Sequence, residues 1–231
     1  MKSRLVLVLA SCVTVSVLVA ACSGGGGGGG GGGFVDNGGQ GTGTLKVVMS
    51  VTVVEGFLAS ANLSLTDQNS SAVSAASVLL TTPAEQITMI EETPGLGVYT
   101  LPAGEFAYGA GFQLDVTRLT DEAKGITIAA PGLTDIQSPE EQGSIFRGQP
   151  AEITWLGEGA DQFRIELFAN DFNSDWQTGD PGTYVIGGAF ITTAGAETLT
   201  VRRRKILPIT SGRPGSEFKI DLEDDVLVLV Q

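Results

Sequence analysis

From Leu45 onward the chain alternates. Leu45, Val47, Met49, Val51 and Val53 fall on one side of an extended backbone, with Lys46, Ser50 and Thr52 on the other. A strict period of two marks a strand with one dry and one wet face. Similar short apolar runs follow at 62–66, 77–80, 86–90, 97–101, 112–118 and 126–129. Asp67-Gln68-Asn69-Ser70, Pro94-Gly95, Pro102-Ala103-Gly104 and Asp121-Glu122 separate them as turns. A second set lies beyond Ala130-Pro131-Gly132-Leu133-Thr134-Asp135, at 151–156, 162–168, 183–186, 198–204, 218–222 and 226–230. There Asp224-Asp225 reads as the turn between the last two strands. No segment sustains a 3.6-residue period over three turns. The predicted fold class is all-β, two antiparallel sandwich domains over 45–135 and 136–231.

One internal comparison fits two such units. Residues 97–118 lie over 182–203 without a gap, matching Gly97 with Gly182, Tyr99 with Tyr184, Leu114 with Leu199, Val116 with Val201 and Arg118 with Arg203, an offset of 85 residues. The offset is close to one sandwich domain. Duplication and generic strand composition both account for five identities.

The N-terminal residues follow a different pattern. Lys2 and Arg4 precede an uncharged apolar stretch, 5–20, that closes on Val19-Ala20-Ala21-Cys22-Ser23. A positive start, an apolar centre and small residues before a cut make 1–21 a secretory signal peptide. The Val-Ala-Ala-Cys run resembles the bacterial lipobox. That resemblance implies cleavage before Cys22, acylation of Cys22 with palmitate-type chains, and, with Ser23 following, a lipid-anchored place in the outer membrane of a Gram-negative envelope. Ten glycines, 24–33, come next, and the stretch to Thr44 stays Gly-rich. Residues 22–44 therefore read as a disordered tether, with a coil length of roughly 25 Å and an extended limit of about 80 Å.

Composition narrows the chemistry. The chain has no His, which removes Ser-His and Cys-His nucleophile pairs and His-ligated zinc. Cys12 leaves with the signal and Cys22 becomes a thioether, so no disulfide is expected. The body must hold together by burial alone. Loss of Lys2 and Arg4 leaves 11 basic against 26 acidic residues, a net charge of −15, which repels nucleic acid and anionic head groups. Anchoring to the membrane then falls to the acyl chains.

Two looser resemblances bear on the body. The segment from Asp67 to Leu80, followed by Gly97-Val98-Tyr99, resembles the carboxypeptidase-regulatory or transthyretin-like sandwich, which implies a non-catalytic accessory module. Ser138-Pro139-Glu140-Glu141-Gln142-Gly143-Ser144, with Gly148-Gln149-Pro150-Ala151-Glu152-Ile153-Thr154-Trp155, resembles Ig-like modules in which a strand ends in a buried Trp.

Three features are candidates for binding. Asp171, Asn173, Asp175 and Asp180 present oxygens as a Ca²⁺ loop does, although Trp176 and Gly182 stand where an EF-hand has Gly and Glu. Arg202-Arg203-Arg204-Lys205 is the one basic cluster. With Leu199 and Val201 inward, Arg202 and Arg204 face water, either as the guard of an edge strand or as a docking patch for an anionic polymer. Trp155 belongs to the core, whereas Trp176, in a polar loop, is the candidate platform for stacking on a sugar. Glycosidase chemistry needs two carboxylates facing across a cleft, which small sandwiches rarely build, so no enzyme is expected. The expected function is a structural, adhesion or protein-interaction module of the envelope. The alternative is a carbohydrate-binding or Ca²⁺-dependent recognition module built on the 170–180 loop.

Overall fold

The computed structural model describes residues 34–54 and 58–231. The expected signal peptide and lipidation at Cys22, with the glycine run, lie outside the described residues. Among the described residues nine strands precede the central linker: β1 (Asn37–Gly41), β2 (Lys46–Val54), β3 (Leu58–Thr66), β4 (Ser77–Thr81), β5 (Gln86–Glu91), β6 (Val98–Thr100), β7 (Phe106–Ala107), β8 (Gly111–Arg118) and β9 (Asp121–Ala129). Nine follow it: β10 (Asp135–Ser138), β11 (Ser144–Ile145), β12 (Ala151–Leu156), β13 (Gln162–Leu167), β14 (Phe172–Asn173), β15 (Gln177–Thr178), β16 (Thr183–Ile186), β17 (Gly195–Pro208) and β18 (Glu217–Val230). Among the described residues the only helical pieces are two 3₁₀ turns, Phe168–Asn170 and Gly188–Phe190. The all-β expectation holds. Most pairings are antiparallel, and β18 is parallel to both β2 and β11.

The same strand plan occurs twice. β6 pairs with β3, while β8 lies between β4 and β9. After the linker β16 pairs with β12, while β17 lies between β13 and β18. The segments matched at an offset of 85 residues fall on corresponding strands, β6 with β16 and β8 with β17.

Each sandwich has its own apolar core. The first gathers Val47, Met49, Val51, Leu63, Leu65, Leu80, Tyr99, Phe112, Leu114, Ile126 and Ile128. The second gathers Ile153, Trp155, Phe163, Ile165, Leu167, Ile186, Leu199, Val201, Val228 and Val230. The chain does not divide between them at residue 135. Ile209, Phe218, Ile220 and Leu222 belong to the first core although they follow the linker by more than seventy positions.

The last hairpin is the reason. β17 and β18 have 14 residues each and pair along their whole length. At about 3.3 Å per residue each spans roughly 45 Å, against about 20 Å for an ordinary strand. One half of β18 builds the second sandwich, and the other half pairs with β2, Glu217 opposite Val48 through Glu223 opposite Val54. Asp224 and Asp225 are therefore not a turn. They lie inside β18, which continues because Asp224 accepts the Ile136 N–H at 2.8 Å while Asp225 is exposed. Asp121 and Glu122 likewise open β9 instead of forming the turn before it.

The 22–44 tether also needs correction at its C-terminal end. Residues 37–41 form β1, antiparallel to β9, and the Gly38 carbonyl accepts hydrogen bonds from Ser211 N–H and Oγ. Glycine here permits contact, not looseness. A Cβ on Gly41 would stand 2.2 Å from the Glu122 carbonyl oxygen, and one on Gly38 would stand 2.4 Å from Thr210 Oγ1.

Candidate functional site

The outward faces of β13, β17 and β18 carry alternating charges. Arg164 lies opposite Arg202, which lies opposite Glu223, and Arg204 lies opposite Asp221. Arg164 pairs with Glu166 at 2.6 Å, Arg202 lies between Glu166 at 3.5 Å and Glu223 at 3.1 Å, and Arg204 grips Asp221 with Nε and Nη2. Trp176 folds over this face. Its ring centroid is 4.1 Å from the Arg204 guanidinium carbon and 5.0 Å from that of Arg164, within cation–π range. A cleft of about 220 Å³ is lined by Trp176, the three arginines, Asp221 and Glu223.

Three predicted binding residues, Trp176, Arg202 and Arg204, thus come together at one place. As separate candidates they stood for rival ligands. Arg202 and Arg204 do face outward, but β17 is an inner strand there, with β13 on one side and β18 on the other, so they guard no edge. Nor are they a bare cationic patch, because three guanidinium groups meet three carboxylates. Burial pushes the Glu223 carboxyl above its ordinary value, against the opposing pull of Arg202.

The four candidate Ca²⁺ ligands are not gathered. Asn173 pairs with Glu166 near the end of β13, while Thr178, two residues before Asp180, pairs with Gln162 at its start. Four residues of strand, roughly 13 Å, separate those positions. Asp171 closes the 3₁₀ turn in the left-handed region, and Asp175 is exposed. Asp180 is already engaged, accepting hydrogen bonds from Trp155 Nε1 at 3.0 Å and from Arg203. Among the described residues no group of three or more acidic or Cys side chains converges to hold a metal.

Arg203 was absent from the expected site, yet it organises the waist between the cores. Its side chain has no exposure, it forms a salt bridge to Asp180, and Nη1 donates to the Gly132 carbonyl of the linker at 2.8 Å. Gly157, at φ +127°, leaves it room, since a Cβ there would stand 2.1 Å from Arg203 Nη1. Tyr108 Oη, on the first sandwich, donates to the Pro131 carbonyl at 2.7 Å, and burial raises its pKa. The alternation that turns Leu199 and Val201 inward turns Arg203 with them, so the signal for it was in the strand.

No family model matches this chain, and no curated protein matches it. Solved structures similar to it include a Ca²⁺-stabilized adhesin with which an Antarctic bacterium binds ice, at 12% identity over 80% of this chain and 49% of that one, with a TM-score of 0.30. The Yersinia pseudotuberculosis adhesin InvE is 14% identical over 85% of this chain and 61% of its own, with a TM-score of 0.24. A multi-domain piece of titin is 13% identical over 82% of this chain and 66% of its own, with a TM-score of 0.27. The chain spans about half of the first and about three-fifths of the second. At these values the likeness carries no argument about this chain.

Proposed function

We propose that this chain is a lipid-anchored outer-membrane protein whose two fused sandwiches serve as a non-catalytic structural, adhesion or protein-interaction module of the cell envelope. The observation that supports the module is the shared β17–β18 hairpin, while the anchor rests on the Val19-Ala20-Ala21-Cys22 run. A single pair of strands runs through both cores, and the waist is pinned by Arg203, Asp180 and the linker carbonyl of Gly132. Such a body holds its surfaces at fixed spacing, which suits presentation more than closure around a substrate. Cys22 supplies the anchor on this reading, and the envelope partner is a protein or a glycan.

The test is metabolic labelling with palmitate followed by membrane fractionation. Wild-type chain incorporates label and sediments with the outer membrane, while Cys22→Ala does neither. An unlabelled wild type would contradict the anchor.

A second reading, saccharide recognition, draws on the Trp176 cleft, where an aromatic ring adjoins three guanidinium groups. On a glycan array it requires binding that Trp176→Ala abolishes.

A further inference from the structure

The end of the second sandwich remote from the first presents phenylalanines from three separate segments. Phe146 follows β11, Phe168 opens the 3₁₀ turn after β13, and Phe190 closes the turn after β16; they are 56%, 85% and 55% exposed. All three segments adjoin the strand ends that lie farthest from the first sandwich, since Leu167 pairs with Leu199, Ile145 with Val230 and Ala151 with Ile186.

This tip is built, not frayed. Glu197, only 3% exposed, accepts hydrogen bonds from the Ala169 N–H and from Asn170 Nδ2, which fixes the turn that carries Phe168. Asn170 Oδ1 in turn accepts the N–H groups of Thr192 and Thr193, each at 2.7 Å, binding that turn to the segment after Phe190. Phe172 packs on Phe190 with ring centroids 5.1 Å apart. A buried carboxylate thus fixes the backbone of the turn that presents this exposed ring. Such preorganisation lowers the entropy lost when a partner covers the ring.

Beside Phe168 runs a groove of about 350 Å³ lined by Glu166, Phe168, Asp171, Phe172 and Asn173. Its walls are aromatic and its titratable groups are both acids. Glu166 is already paired with Arg164 and Arg202, whereas no described residue makes an ion pair or hydrogen bond to the Asp171 carboxylate. Covering the groove with a neutral apolar surface would strip water from Asp171 without replacing it. An anionic bilayer or a second copy of a chain at net −13 is repelled. A lysine or arginine side chain meets both demands, its methylene stem along the rings and its cation against the Asp171 carboxylate.

We infer that this tip is a docking surface for a protein partner that inserts a Lys or Arg flanked by apolar residues into the Phe168–Phe172 groove. The inference rests on the interaction-module reading and names its surface.

The experiment is fluorescence anisotropy with the purified full-length chain in nonionic detergent and a labelled acetyl-Leu-Lys-Leu-Lys-Leu-amide probe, beside its Glu-for-Lys analogue. The Lys peptide binds and the Glu peptide does not. Phe168→Ser and Asp171→Asn each weaken binding by about fivefold or more, as loss of a central anchor does. Glu85→Gln, an exposed acid on the first sandwich, leaves it unchanged, and near-UV circular dichroism checks that each variant is folded. Affinity kept in both tip variants, or lost equally in Glu85→Gln, would overturn the proposal. So would Phe168-dependent binding to phosphatidylcholine vesicles without peptide binding, or a dimer that Phe168→Ser dissolves. Failure of the anchor would appear separately, as missing palmitate on Cys22.

Discussion

At the scale of single residues, the waist is where charge enters the core. Arg203 and Asp180 form a buried pair, and removing one member leaves the other charge without compensation. Arg203→Met should destabilise the protein by about 3–5 kcal/mol in urea unfolding, while adding Asp180→Asn, which removes the unpaired charge and keeps an acceptor for Trp155 Nε1, should recover most of that loss. Equal stability of the single and double variants would refute the pairing. Asp224, half-buried in β18, is another charge turned from open water. Burial raises its carboxyl above the ordinary aspartate value, against the Ile136 N–H that favours the anion. The native state therefore takes up this proton at higher pH than the unfolded chain, so the stability contribution of Asp224 rises as pH falls through that raised value and is smallest at neutrality. Asp224→Asn should melt at higher temperature than wild type at pH 7 and gain less on mild acidification. Arg203 was legible from the Leu199-Val201-Arg203 alternation. Its partner was not, because Asp180 comes from a loop whose oxygens suggested a metal.

At the scale of elements, side-chain alternation reveals strands that have a dry face. It located β2, β8, β12 and β13 with little error. It fails where a strand is specified by its neighbours instead. β1 is Asn-Gly-Gly-Gln-Gly, a sequence whose composition reads as coil, and its glycines are made necessary by the close approach of Thr210 to Gly38 and of Glu122 to Gly41 and by the left-handed backbone of Gly39 against Lys124. Gly41→Ala should therefore release β1, speed proteolysis within 34–44 and lower stability by about 1–3 kcal/mol, whereas Gln40→Ala, on an exposed position, should change neither. Equal cleavage rates in the two variants would show that β1 contributes no order. The paired aspartates of β18 are the reverse error. Two turn-prone residues masked a continuous strand because one is bonded from β10 and the other reaches water.

At the scale of the whole molecule, the two sets of strands and their shared plan were readable, but the connection between them was not. Pairing of β18 with β2 joins segments about 170 positions apart, and no local pattern encodes which edge receives which strand. Its consequence is physical. A chain ending at 135 lacks Ile209, Phe218, Ile220 and Leu222 and leaves β2 unpaired along one side, so it should not reach a stable fold by circular dichroism. The sharpest test of the fused body is native-state hydrogen exchange as a function of denaturant, comparing amides of β3 in the first core with amides of β12 in the second. One cooperative unit predicts that both sets exchange through the same global opening with the same free energy. Exchange of β12 through a partial opening while β3 stays protected would contradict it.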